Sequence, residues 1–147
     1  MHFVKFNSVD VLALTETKLD DSIHSSLYTI PNFHQPFTRH RTRRGGGTAL
    51  YAHNSLPFTR LPDLELPGEE WIWGMIKTTQ AKIIVCSIYL PPNLSTTRLQ
   101  EFLDRFTESL TLAVAHSPKA IFIVGDFNAG NIYLLASQNR HSGITIF

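Results

Sequence analysis

The chain has 147 residues, 43% of them apolar and 17% charged, with a formal net charge of +1. A domain of that size can bury roughly 70% of the surface its unfolded chain exposes, so a packed core is expected and disorder is not. No apolar run nears the ~18 residues of a membrane span, the first residues do not form a signal peptide, and the lone Cys86 excludes an intramolecular disulfide and a multi-cysteine zinc site. The expectation is one soluble, intracellular domain (nucleus and cytoplasm not being distinguished), with no membrane or disulfide partner and an oligomeric state that the sequence does not fix.

In chain order, the first apolar run is Asp10 to Leu14, whose brevity suits a buried strand and which ends in Thr15-Glu16-Thr17. Phe33 to Thr38 is a weaker strand candidate. Thr48 to Ala52 follows three glycines and precedes Asn54-Ser55-Leu56-Pro57, the pattern of a strand and then a turn. Glu70 to Lys77 is aromatic-rich, and Lys82 to Tyr89 has the strongest strand character; Thr78-Thr79-Gln80-Ala81 joins them as an antiparallel hairpin. Pro91-Pro92 then ends the sheet, since proline lacks the ladder donor. Leu99, Phe102, Leu103, Phe106, Leu110 and Ala113 share one helical face, with Thr97 and Gln100 as a capping box or Ser95 as the N-cap. Ala120 to Val124 is a continuous apolar run, expected to be a strand buried on both faces. Strands interleaved with a helix, some pairs antiparallel, give an α/β or α+β sandwich.

Glu16 and Asp126 both stand just past the carboxyl end of an apolar strand, where ligands collect in sheets with helical crossovers. If those strands are neighbours, ~4.8 Å apart, the two carboxylates reach one site and suit a hard cation such as Mg²⁺. Otherwise each simply starts a turn. Gly125 permits a sharp bend before Asp126, and Asn128 follows two residues on. An aspartate can orient or deprotonate a water, and an asparagine amide can hold a phosphate oxygen, although an Asx turn uses the same residues. Tyr89 ends its strand with a phenol that could donate to phosphate or pack on the core. Arg39, Arg41, Arg43 and Arg44 alternate into the glycine run and could follow a nucleic-acid backbone or form a solvated loop. The histidines are scattered without metal-ligand spacing, and neither a phosphate-binding Gly-x-x-x-x-Gly-Lys loop nor a Gly-x-Ser-x-Gly elbow is present.

Four ordered motifs, Asp10-Val-Leu-Ala-Leu-Thr-Glu-Thr-Lys-Leu, Gly45-Gly-Gly-Thr-Ala-Leu-Tyr, Ile88-Tyr-Leu-Pro-Pro-Asn and Val124-Gly-Asp-Phe-Asn-Ala, together resemble the endonuclease/exonuclease/phosphatase superfamily. The triple glycine and Tyr-Leu-Pro-Pro-Asn look most like its branch in non-LTR retrotransposons, the apurinic-endonuclease-like domain fused to reverse transcriptases. The resemblance implies a four-layer α/β/β/α sandwich of two mixed β-sheets, and Mg²⁺-dependent (or Mn²⁺-dependent) cleavage of phosphodiesters in DNA. It assigns Glu16 to the metal, Tyr89 to the scissile phosphate, Asp126 to the attacking water and Asn128 to the phosphate.

The chain also departs from that family. The family opens with a strand carrying a phosphate-site asparagine, whereas 1–8 matches only the end of the following helix, and Asn7 lies in the wrong element. The family closes on further strands and a Ser-Asp-His motif, whereas no Asp or Glu follows Asp126 and no Asp-His occurs here. His141 falls in a segment resembling the start of an earlier helix, far from the catalytic histidine's place. The expectation is therefore one partial domain over 1–147, an incomplete sandwich lacking its first and C-terminal strands, with the Ile83 to Tyr89 and Ala120 to Val124 strands lacking some of their normal cover and activity severely reduced or absent. The alternative is a non-catalytic retroelement remnant, either nucleic-acid-binding or inert.

Overall fold

The structure, a computed structural model, describes residues 9–42, 44–128 and 144–146. The readings of 1–8, of Arg43 and of the segment around His141 fall outside the described residues. Two sheets form. In the first, β1 (Val11–Thr15), β3 (Thr48–Ala52) and β2 (Phe37–Arg39) lie in the order β1-β3-β2, all antiparallel. The second has the order β4-β5-β6-β7-β8, from β4 (Phe58–Arg60), β5 (Trp71–Lys77), β6 (Lys82–Tyr89), β7 (Ala120–Asp126) and β8 (Ile144–Ile146). It is mixed: β4, β5 and β6 run antiparallel, while β7 is parallel to both β6 and β8. The helix α1 (Thr96–Ala115) makes the crossover from β6 to β7.

Side-chain alternation along the strands builds three apolar layers. On one face of the second sheet, Trp71, Trp73, Ile84, Cys86, Ile88, Ile121 and Ile123 pack under α1 through Phe102, Phe106 and Ala113. The other face meets the first sheet through a cluster around Leu50, Ile72 and Val85, with Val11, Ala13, Phe122 and Val124 partly buried beside it. The outer face of the first sheet carries Ala49 and Tyr51 beneath Ile30 and Phe33 from the loop between β1 and β2. This is an α/β sandwich, incomplete in that no α-helix covers that outer face among the described residues. The described residues also contain no helix long and apolar enough to cross a membrane.

Several elements differ in detail from their sequence expectation. Ser95, rather than Thr97, caps α1, its side chain accepting the Arg98 N–H at 3.2 Å. The 33–38 run is interrupted at Pro36, so only 37–39 joins the ladder and Phe33 makes a lone bridge to His53. The three-residue β4 is an edge strand with a single apolar residue, too short to show a period. Residues 84–89 of β6 are buried, so this strand does not present the uncovered surface expected of it. β7 is covered on both faces, but unevenly: Ile121 and Ile123 are buried under α1, whereas Phe122 and Val124 are only partly buried between the sheets.

Candidate active site

The residues singled out by sequence gather at one end of the seam between the two sheets. The alternation that sends Ile84, Cys86 and Ile88 toward α1 sends Val85, Ser87 and Tyr89 toward the first sheet. Ser87 proves the direction, since its hydroxyl meets Thr48 of β3 at 2.5 Å. Two residues on, the Tyr89 hydroxyl donates to Glu16 Oε1, from the first sheet. Tyr89 stands in register with Asp126 on the parallel strand β7. Glu16 and Asp126 thus do not belong to neighbouring strands of one sheet. They come from different sheets: Glu16 is bonded to Tyr89, and Asp126 stands beside Tyr89 in the ladder.

Glu16 leaves β1 with a positive φ of 53°, a conformation that costs a non-glycine residue roughly 1–2 kcal/mol. Backbone bonds hold it there: Thr17 N–H donates to Gly47 O at 3.3 Å and Lys18 N–H to Gly46 O at 3.1 Å. Gly46 N–H in turn donates to Glu16 Oε2 at 3.2 Å. A Cβ at Gly46 would lie 2.6 Å from both Arg41 Nε and Glu70 Oε2, so the glycine run exists to bring bare backbone against carboxylates. The Tyr89 hydrogen bond first, the Gly46 N–H second, and the charges of Lys18 and Arg41 hold Glu16 below its ordinary 4.5. Burial first, then the bond to Glu16, push the Tyr89 phenol up to about 12. At neutral pH the pair is therefore a carboxylate facing a proton-bearing phenol.

Asp126 is reached through a tight junction. Gly125 has φ 148°, and a Cβ there would fall 1.9 Å from Ile88 O. Leu90 N–H donates to Asp126 O at 2.8 Å, tying the end of β6 to that of β7. Asn128 N–H donates to Asp126 Oδ1 at 3.1 Å, closing the Asx turn that the sequence allowed. The Asn128 side-chain amide donates one of its two hydrogens to Leu90 O at 3.1 Å.

The arginines separate. Arg39 turns inward, donating to Leu66 O at 2.7 Å and pairing with Glu65 at 3.5 Å, so it does not present itself to a nucleic acid. Arg41 enters the site: its guanidinium lies 3.1 Å from Glu70 and 5.8 Å from the Tyr89 ring centroid. Arg44 is exposed in the turn bridged by Thr42 and Gly45. Arg43 lies outside the described residues.

Glu70, read from sequence only as the start of a strand, is the site residue that was missed. It is 8% exposed, and its Oε2 accepts Gly47 N–H at 2.5 Å. A signal existed: the hairpin register carried outward from Lys77↔Lys82 sets Glu70 opposite Tyr89, whose N–H donates to Glu70 O at 2.9 Å.

Among the described residues, no three His, Cys, Asp or Glu side chains converge into a metal cage. Glu16 suits a sparser mode. It is an exposed carboxylate kept ionised, and a hard cation such as Mg²⁺ needs only one or two carboxylates when waters and a substrate phosphate supply the other oxygens. The model of the Endonuclease/Exonuclease/phosphatase family matches residues 2–141 of the chain. No curated protein matches it.

Proposed function

The chain belongs to the endonuclease/exonuclease/phosphatase family, and from that premise we infer that its site hydrolyses phosphodiester bonds, with DNA as substrate and Mg²⁺ (or Mn²⁺ in its place) as the cation. Members of the family act on nucleic acids or other phosphoesters and are generally dependent on a divalent metal. The retrotransposon subtype is part of the proposal, supported by the Gly45-Gly-Gly and Tyr89-Leu-Pro-Pro-Asn segments. The observation that carries the reading is the Glu16–Tyr89 pair, bridging the two sheets beside Asp126.

Glu16 would hold the cation, which when bound supplies neutralisation of charge on the phosphate. Tyr89 keeps its proton at neutral pH, so its hydroxyl remains a donor that a phosphate oxygen can take over from Glu16. Asp126 is fixed through Oδ1 by Asn128 N–H, and its second oxygen is placed to orient a water and accept its proton. The remaining amide hydrogen of Asn128 meets a phosphate oxygen on the same side. Positioning plus charge stabilisation is most of what phosphoryl chemistry asks of a protein.

The test is nicking of supercoiled plasmid by excess purified chain. Slow nicking in Mg²⁺, abolished by a chelator and at least tenfold slower in Asp126→Asn, supports the reading. Nicking that persists in chelator or equals that of Asp126→Asn overturns it, and no nicking at all favours the non-catalytic remnant.

A further inference from the structure

Three glutamates in the stretch 65–70 are withdrawn from solvent. Glu65 takes Arg60 at 2.8 Å, Arg39 at 3.5 Å and the Trp73 N–H at 3.2 Å, which ties the loop after β4 to β5 and β2. Glu69 takes Arg98 at 2.7 Å and Arg105 at 2.8 Å, which ties α1 to the sheet. Both roles are architectural. Glu70 is different, because its partners are Gly47 and Arg41, which belong to the loop that holds Glu16.

The geometry is a relay of two consecutive amides. Gly47 N–H donates to Glu70 at 2.5 Å, and the preceding Gly46 N–H donates to Glu16 at 3.2 Å. Gly47 N–H shares a planar peptide unit with Gly46 O, which accepts Lys18 N–H at 3.1 Å, so holding Gly47 also holds the backbone just past Glu16. Glu70 is itself fixed to the site, since its carbonyl accepts the Tyr89 N–H at 2.9 Å. Its second oxygen pairs with Arg41, whose Nε also donates to Gly45 O at 3.1 Å. The pair is lopsided in exposure: the Arg41 side chain is 41% exposed and that of Glu70 9%. The buried anion thus anchors a cation that stands at the mouth of the site, over the Tyr89 ring.

We propose that Glu70 is a positioning residue: through Gly47 it sets the orientation of Glu16 toward a divalent cation, and through Arg41 it holds a guanidinium where the substrate phosphate arrives. Arg41 is then the one described arginine of its cluster that serves the reaction, meeting the phosphate as a pre-oriented fork. The proposal rests on the phosphodiesterase reading of the site. Groups that orient metal-binding carboxylates typically change metal affinity 10–100-fold when removed.

The experiment titrates the full chain with Mn²⁺, followed by electron paramagnetic resonance. Exchange of the Gly46 and Gly47 amide hydrogens is followed in the metal-free protein. Glu70→Gln keeps an acceptor for Gly47 but loses the charge that anchors Arg41; Glu70→Asp keeps the charge but is one methylene short of Gly47. The expected result is about tenfold weaker Mn²⁺ binding and faster Gly46 and Gly47 exchange in Glu70→Asp, with smaller changes of both kinds in Glu70→Gln, which keeps the acceptor. Should Glu70→Asp not fold, Glu70→Gln carries the test alone, because a neutral amide holds the Gly47 N–H more weakly than the carboxylate does. Wild-type affinity in a folded variant, with binding lost in Glu16→Gln, overturns the role of Glu70 and leaves the site reading standing. No Mn²⁺ binding by the wild-type chain overturns the site reading itself, and the proposal with it.

Discussion

Gly125→Ala is the sharpest probe of how the site is mounted. The new Cβ would sit 1.9 Å from Ile88 O, 2.8 Å from Ile88 C and 3.0 Å from Ile88 N. All three are backbone atoms of β6, a strand paired on both sides, and Ile88 is 0% exposed. No side chain can swing aside, so β6 and β7 must part locally. Overpacking of this kind costs roughly 1–3 kcal/mol, and φ of 148° adds about 1–3 kcal/mol of backbone strain for any residue with a Cβ. The expected loss is about 4 kcal/mol, which lowers the midpoint of a chain this size by ~10 °C. Gly68→Ala is the matched control, because φ there is +81° but nothing lies within 4 Å of the added Cβ. Only the backbone term remains at that position, about 1–2 kcal/mol. Urea unfolding followed by the fluorescence of Trp71 and Trp73 measures both variants. A Gly125→Ala cost no larger than that of Gly68→Ala would refute the claim that the ends of β6 and β7 are clamped together beneath Asp126.

Tyr89→Phe removes the largest influence lowering the Glu16 pKa. Glu16 then protonates at higher pH than in the wild type, so the acid loss of Mn²⁺ binding moves up in pH; an unmoved or lower acid limb would contradict the pairing. The Glu16 contribution to stability follows the same sign: it is present above the unfolded carboxylate pKa and lost as pH falls through the depressed folded one. Thr48→Val leaves the buried Ser87 hydroxyl without its partner 2.5 Å away, and should cost about 1–3 kcal/mol. Adding Ser87→Ala should recover part of that loss, so a strictly additive double variant would argue against the inter-sheet bond. Arg39→Ala should lower stability while leaving DNA affinity unchanged, because Arg39 is spent on Leu66 O and Glu65. Arg44→Ala should do the reverse, reducing the slope of log affinity against log salt by about one, as a filter-binding series would show.

The apolar period exposed the long elements because each buries one face or both. The residues 99, 102, 103, 106, 110 and 113 do line α1 against the core. The same period hid Ser109, a buried polar residue on that stripe, which donates to Leu64 O at 2.6 Å and accepts from Trp73 Nε1 at 2.8 Å. Its partners lie far away in sequence, so no local signal marks it. The arginine cluster misled for the same reason. Spacing says nothing of Glu65 and Glu70, which decide that Arg39 packs inward and that Arg41 joins the site. Glu70 was within reach, since a hairpin register needs only the turn position to be extended outward.

Position across the seam, rather than along a sheet, gives the site its room. Carboxylates on adjacent strands would stand ~4.8 Å apart, whereas packed sheets lie ~10 Å apart. Residues facing the seam near this end are small: Thr48 and Ser87 touch there, and Gly47 follows the same strand outward. The sheets can thus approach closely enough for the longer Tyr89 side chain to reach Glu16. Spacing and contact are set by different residues. The cluster around Leu50, Ile72 and Val85 fixes how far apart the sheets sit, and the glycine loop with Glu70 fixes where Glu16 points. Changes in the cluster should therefore act on the site and on stability together, whereas changes at Glu70 should separate the two.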